Sequence, residues 1–267
     1  MKHLKGVYSA KRKNGTLYYR SSITYCNKHI SLGSYETAAL AHHAYVFACE
    51  LLEDKCQSLK DYQDTCVLTY TKWVVLLNFR DNKLYFHTPI YLKPTYFLYC
   101  LTPEITLKFD RDDLFYYAKR SIMKRGNHLF VAEYGLQTNL LNRYGIRSFS
   151  VCNRDYRFMN QDEYDFRYEN IEIINRYMGV QQIVKADKIQ YKATIHLRSN
   201  YVVGYYETEN EAAIAYNKAA DQLRQNGYSK DFITNYVEDI SPRIYADIYS
   251  NLIISDTLPT SSCNQEN

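Results

Sequence analysis

The chain has 267 residues, enough for two or three small domains, and 46% of them are hydrophobic, as in ordinary globular proteins. The net charge of only +4 excludes no class of partner, and the 29 tyrosines are the one outlier in composition. Seven cysteines without a Cys-x-x-Cys pair argue against a zinc finger and a secreted disulfide framework. No signal segment or membrane span of ~18 apolar residues is found, so we expect an intracellular protein, in the cytoplasm or nucleoid, or in a nucleus.

The first fifty residues predict three short strands and a helix. Asn14-Gly15 separates β-like stretches at 7–10 and 17–25, and Asn27-Lys28 leads into a third at 29–32. An alanine-rich helix follows and runs to Leu52. In the second strand, period-2 alternation places Tyr19, Ser21 and Ile23 inward and Tyr18, Arg20, Ser22 and Thr24 outward.

The middle of the chain predicts a mixed α+β domain. Residues 71–77 and 83–101 are rich in β-branched and aromatic side chains, which favours strands. Acidic residues at 110–113 complement a helix dipole and predict a helix through Met123. A turn at 125–127 and a strand at 128–132 follow.

The last third of the chain repeats the first fifty residues. Residues 33–52 align without a gap on residues 204–223, and nine positions have the same residue 171 positions later. Alternation again sorts a strand, with Tyr191, Ala193 and Ile195 inward and Gln190, Lys192, Thr194 and His196 outward. Thr208 and Glu211 predict a capping box at the start of an alanine-striped helix, and 225–227 predict its end. A last helix is predicted at 241–252 and a disordered tail at 255–267.

Positive charge concentrates on the two repeats. Residues 1–35 contain seven lysines and arginines and no acid, while acids collect at 155–172. Clustered positive charge on a small unit is typical of polyanion binding, although a solvated basic face without a partner remains open. A helix on one face of each sheet leaves the other face bare, and a small twisted sheet can enter a DNA major groove.

Both copies resemble the AP2/ERF-type DNA-binding domain found beside HNH homing endonucleases in phages, bacteria and mobile introns. The second copy shows Gly179-Val180, Tyr191-x-Ala193-x-Ile195, Gly204-x-Tyr206-x-Thr208 and Ala212-Ala213-x-Ala215-Tyr216, and an ending at 232–236. Tyrosine replaces the family's tryptophan in both copies. The resemblance implies double-stranded DNA as partner. The implied contact residues are Lys11, Arg12, Lys13, Tyr18, Arg20, Ser22, Thr24, Lys185, Lys188, Gln190, Lys192, Thr194, His196 and Arg198.

The segment before the second copy resembles the ending of an HNH nuclease motif. Asp165-x-Arg167-x-x-Asn170-Ile171 matches an Asp-x-Arg-x-x-Asn-Leu pattern. Asn142 and Asn153 stand where the family places histidines, so the general base that such chemistry needs is missing. We therefore interpret Asn142, Asn153, Asp165 and Asn170 as degenerate HNH positions, and expect no catalytic residue, metal or cofactor. A loop with no such ancestry remains open.

The sequence as a whole predicts an α+β protein with two AP2-like domains, each a three-stranded antiparallel sheet plus a helix, around an HNH-like middle. The domains are predicted at 1–60, 61–176, 177–238 and 239–267, the last being a helix and tail. The expected function is sequence-specific DNA binding, as a phage or mobile-element regulator without nuclease activity. An active HNH nickase and a protein-interaction module remain alternatives, and a homodimer is left open.

Overall fold

The structure is a computed structural model that describes residues 4–133, 135–148, 150–255 and 258–259. The chain divides into two compact units. The first consists of Met1–Arg143 and Asp162–Asn170, and the second of Tyr144–Gln161 and Ile171–Asn267. Each unit contains one copy of the repeat. Residues 61–176, predicted as one middle domain, are divided between the two units.

The first copy of the repeat forms the predicted sheet and helix. The antiparallel strands β1 (Val7–Lys11), β2 (Leu17–Tyr25) and β3 (Lys28–Tyr35) lie in the order β1-β2-β3. Helix α1 (Ala38–Glu53) begins after Thr37, whose hydroxyl accepts a hydrogen bond from the Leu40 N–H at 3.2 Å. Ala41, Ala44 and Ala48 are fully buried, as a helix lying close on a sheet requires.

Helix α2 (Tyr70–Asn82) corrects the strand predicted at 71–77. The Thr69 side chain caps the helix by accepting from the Lys72 N–H, and Lys83 ends it in the left-handed conformation. Residues 73–80 are all buried, so the run carries no polar face. Periodicity alone does not distinguish such a run from a buried strand. Strands occupy only part of 83–101.

Two further three-stranded sheets complete the first unit. One contains β4 (Ile90–Leu92), β5 (Tyr96–Cys100) and β6 (Thr106–Asp110), and the other contains β7 (Ile122–Arg125), β8 (His128–Glu133) and β9 (Leu136–Asn139). The helix predicted from Asp110 through Met123 is wrong in its length. A 3₁₀ turn at Arg111–Asp113 leads into α3 (Leu114–Tyr117), after which the chain enters β7. The turn at 125–127 and the strand from His128 are confirmed.

The second unit contains a two-stranded sheet and the second copy of the repeat. Strands β10 (Tyr156–Phe158) and β11 (Ile171–Ile173) pair, as do β12 (Val180–Lys185), β13 (Lys188–His196) and β14 (Asn200–Tyr206). Helix α4 (Glu209–Gln225) carries the predicted capping box between Thr208 and Glu211. The last helix, α5 (Pro242–Asn251), is confirmed. Most of the predicted disordered tail lies outside the described residues.

The two copies agree in details that sequence alignment does not show. Each sheet has a register shift at the same place, between Ser21 and Ser22 and between Ala193 and Thr194. The residue after each shift donates its N–H to a glycine carbonyl, Ser22 to Gly6 and Thr194 to Gly179. A β-bulge of this kind bends a strand and re-aims its side chains, so the copies share one distortion as well as one topology.

Each copy is followed by a second helix that packs on the first. Helix α2 contacts α1, and α5 contacts α4. The N-cap of the second helix follows that of the first at nearly the same separation along the chain in both copies, from Thr37 to Thr69 and from Thr208 to Ser241. The core around α1 therefore continues past residue 60 into α2, and the core around α4 reaches Leu258. Among the described residues, no helix has the length and apolarity needed to cross a bilayer.

Candidate nucleic-acid interface

A cluster of two arginines around one tyrosine marks the exposed face of the first sheet. Tyr18 and Arg20 both lie on β2, two residues apart. The Tyr18 hydroxyl accepts hydrogen bonds from Arg20 Nη2 at 2.7 Å and Nε at 3.2 Å. The guanidinium groups of Arg12 and Arg20 lie 5.8 and 5.5 Å from the centre of the Tyr18 ring. The ring therefore holds two exposed cations together, through cation–π contacts and hydrogen bonds.

The charge that the predicted contact cations expose depends on whether acidic side chains neutralise it. Among the described residues, none of the lysines and arginines predicted to contact DNA makes an ion pair. Six arginines between the repeats do pair with carboxylates. These are Arg80, Arg120, Arg143, Arg154, Arg157 and Arg167. An unpaired surface cation leaves its field available to an external anion, so the predicted contact cations keep their potential to bind a polyanion.

One predicted contact residue of the first sheet is not available to solvent. Ser22 was expected to face outward, but only 8% of its surface is exposed. The bulge between Ser21 and Ser22 interrupts the alternation, so that Ser21, Ser22 and Ile23 are all buried. The other predicted contacts of this copy, Lys11, Lys13 and Thr24, are exposed as expected.

The second sheet presents its polar residues differently. Lys185 lies at the end of β12 with its ammonium 5.6 Å from the ring centre of Tyr205. Lys188 follows a tight turn, and Arg198 lies in the turn between β13 and β14; both are exposed. Gln190, Lys192 and Thr194 are only partly exposed, and the exposed His196 ring contacts the Asn200 side chain at 2.8 Å.

A cleft opens beside this second sheet, where a bare face was expected. It has a volume of about 520 Å³, and Lys192, Thr194 and His196 form part of its wall. The rest comes from residues outside the sheet, including Arg147, Ser150, Arg154, Asp155 and residues 230–233. Sequence reasoning missed two cations here, Arg147 and Lys230, because neither lies in the repeated motif. The clustering of arginines at 143–157 was the one available signal.

Two of the degenerate HNH positions, Asp165 and Asn170, are buried and hydrogen-bonded to each other. Asp165 is fully buried, and Arg167 donates to its two carboxylate oxygens from Nε at 2.8 Å and Nη2 at 2.7 Å. These hydrogen bonds raise the pKa of Arg167. Lys108 Nζ lies 3.7 Å from the same carboxylate. The Asn170 side chain donates to the Asp165 carbonyl at 2.8 Å, so these matched residues are brought together as one buried network.

The two positions aligned with family histidines fall in different units. Asn142 is exposed in a 3₁₀ turn at Leu140–Tyr144 of the first unit. Asn153 belongs to the second unit, where it is exposed with a positive φ of 65°. Among the described residues, no group of three histidine, cysteine, aspartate or glutamate side chains could hold a metal ion.

Comparison with known proteins does not define a family. No family model matches the chain, and neither the curated proteins nor the solved structures that were searched gave a match. The duplicated fold and its unpaired cations are therefore the basis for a functional proposal.

Proposed function

We propose that this chain is a sequence-specific double-stranded DNA-binding protein that uses the two repeat sheets as DNA-contacting surfaces. The observation that carries the proposal is that both copies of one fold present predicted contact cations without acidic partners among the described residues, whereas six arginines between the copies are paired with carboxylates. The resemblance to AP2/ERF domains points to the same partner. A regulator derived from an HNH homing endonuclease, without nuclease activity, fits the asparagines at 142 and 153.

The chemistry of the first sheet supports base contact. A guanidinium has five N–H donors, and Arg20 directs two of its nitrogens to Tyr18. The remaining donors are held in a preferred orientation, which favours bidentate bonding to a guanine edge. Lys11, Lys13 and Arg12 on the same exposed edge suit phosphate contact, which positions a protein without specifying sequence.

The two copies differ in the residues they present, which supports an asymmetric target. The first offers Arg20 and Thr24, and the second offers Lys192, Thr194 and His196 beside a cleft. Different side chains on one scaffold recognise different base edges. A composite site therefore fits the chain better than a palindrome bound by identical halves.

The experiment is a fluorescence anisotropy titration of the full chain with duplexes selected from random and genomic DNA. We expect the affinity to fall steeply with salt, because each neutralised phosphate releases counterions. Arg20→Gln with Lys192→Gln should weaken binding at least tenfold. The matched control Arg157→Gln removes an exposed arginine that is paired with Glu172, and should change little. No binding to any duplex at low salt contradicts the proposal.

The same preparations test the absence of nuclease activity. Supercoiled plasmid incubated with Mg²⁺ or Mn²⁺ should remain intact. Nicking that is abolished in Asn170→Ala would instead establish an active HNH-type enzyme, and only the nuclease part of the proposal would fail.

A further inference from the structure

Arg147 is a cation without a partner inside the cleft of the second unit. Its side chain lines the cleft and is partly buried. Among the described residues, no group makes a hydrogen bond or an ion pair with its guanidinium. Burial lowers the pKa of Arg147, because desolvation disfavours the charged form, although nearby Tyr216 and Tyr177 oppose the shift. An arginine nevertheless stays protonated at neutral pH, so the cleft contains a poorly solvated positive charge.

Further cations line the same cleft. Lys230 donates one hydrogen bond to the His196 carbonyl at 2.6 Å, which leaves two of its three N–H donors. Lys192 lies on the wall and forms no ion pair among the described residues. Arg154 is paired with Asp155, so that pair contributes little net charge. Arg147, Lys192 and Lys230 together exceed the remaining acid, Asp231, and the cleft is positive overall.

We propose that this cleft binds the phosphate of a nucleotide unit, with Arg147 as its principal ligand. A guanidinium matches phosphate oxygens with paired donors, and two lysines add point charges around it. Ligand-binding clefts of roughly 300–1,000 Å³ are common, and this one, at about 520 Å³, has room for more than a lone anion. Tyr177, Tyr216 and Phe232 also line the cleft, but all three are buried, so recognition rests on the cations.

The phosphate has two chemical sources, a free nucleotide and a DNA strand. For a DNA strand the inference rests on the proposed function, whereas for a free nucleotide it does not. The test therefore uses Arg147, which has no part in the sheet contacts assigned above, and leaves Lys192 unchanged.

The experiment is isothermal titration calorimetry of the full chain with the four deoxynucleoside 5′-monophosphates, one at a time, at low salt. The matching nucleosides and inorganic phosphate serve as ligand controls. We expect at least one monophosphate to bind, its nucleoside to bind at least tenfold more weakly, and Arg147→Gln to weaken the monophosphate at least tenfold. Arg157→Gln, in the same unit but paired with Glu172, should bind as the unchanged protein does. If Arg147→Gln fails to fold by circular dichroism, Lys230→Gln replaces it with the same expectation.

Anisotropy with single-stranded and duplex DNA separates the sources. If no monophosphate binds but Arg147→Gln weakens DNA binding at least tenfold, the phosphate comes from a strand and the site stands. If monophosphate binding is unaffected by the substitution, or if neither ligand responds to it, the site is overturned. If no monophosphate binds, DNA binding that is lost in the Arg20→Gln, Lys192→Gln protein and retained in Arg147→Gln would keep the proposed function and remove this site. Monophosphate binding that depends on Arg147, without any DNA binding, would keep this site and contradict the proposed function.

Discussion

Gly179 lies so close to the ring of Tyr216 that a β-carbon at Gly179 would overlap it. Gly6 stands in the same relationship to Tyr45 in the first copy, and both glycines have a positive φ, of 70° and 76°. Each tyrosine comes from the helix, and each glycine lies in the turn immediately before the first strand. The glycine–tyrosine contact therefore fixes the first strand on the helix in both copies.

Gly179→Ala should destabilise the protein by at least about 2 kcal/mol, because it combines left-handed backbone strain with overlap. Gly15→Ala is the matched control, since Gly15 also has a positive φ but, its chain neighbours aside, no atom of the described residues lies within 4 Å of where its β-carbon would be. We expect that control to cost about 1 kcal/mol. Urea denaturation measures both, and equal losses would show that the contact with Tyr216 contributes nothing.

Ser21→Ala should stabilise the protein by about 1 kcal/mol, because the buried Ser21 hydroxyl has no hydrogen-bond partner in the part of the chain that the structure describes. Alanine already occupies the equivalent position in the second copy, as Ala193, which is fully buried. The reciprocal Ala193→Ser should destabilise the protein. The midpoint of thermal unfolding checks both changes, and a loss of stability in Ser21→Ala would count against this assignment.

Tyr18→Phe should weaken DNA binding about fivefold while leaving the fold intact. The substitution removes the hydroxyl that orients Arg20, and one such hydrogen bond contributes about 1 kcal/mol. Tyr8, which pairs with Arg20 across the sheet, provides the control Tyr8→Phe, because its hydroxyl makes no hydrogen bond among the described residues. Anisotropy titrations that give the two variants equal affinity would exclude an orienting role for Tyr18.

Asp155→Asn should destabilise the second unit by about 1–2 kcal/mol at pH 7. Burial raises the pKa of Asp155, but hydrogen bonds from Arg154, the Val151 N–H and Asn175 outweigh it and bring the pKa below its ordinary 3.8. A carboxylate with a lowered folded-state pKa stabilises the fold above pH 3.8, and that contribution is lost as the pH falls below it. Urea titrations at pH 7 and pH 3 should therefore show a difference from the unchanged protein that shrinks at pH 3.

Cys100 should resist thiol reagents in the folded protein. It is fully buried, and burial raises the pKa of its thiol to about 11, so almost no thiolate exists near neutral pH. Cys26 and Cys56 are exposed and should react at once. Maleimide labelling followed by peptide mass spectrometry checks the order, with urea-unfolded protein as the control in which Cys100 also reacts. Early labelling of Cys100 would contradict its buried position.

Sequence patterns predicted the elements that depend on local signals. The Asn14-Gly15 hairpin and the capping box at Thr208 follow from backbone preferences of a few residues, and both are present. Helix α2 was missed because its buried run has no polar face, and burial on all sides comes from the tertiary fold. Ser22 was predicted to face outward, but a β-bulge interrupts the alternation there, and no residue type in the sequence indicates that bulge.

One part of the candidate site could be predicted from local sequence signals, and the other part depends on the tertiary fold. The exposed cations of the first sheet, among them Arg12 and Arg20, could be named from their residue types and strand alternation. The Arg147 cleft could not, because it combines segments that are distant in sequence. Which arginines have acidic partners also depends on folding, as the bond between Arg157 and Glu172 across two paired strands illustrates.

Helices α2 and α5, which follow the two copies, differ in how far they are buried, and this affects whether each copy can fold in isolation. Helix α2 is buried along most of its length, and its core extends to Cys100, so an excised piece ending at residue 60 would expose a large apolar surface. Helix α5 has no buried residue and covers α4 through a few partly buried side chains. The second copy is thus the better candidate for transfer as an autonomous module, provided that its graft extends through Leu258.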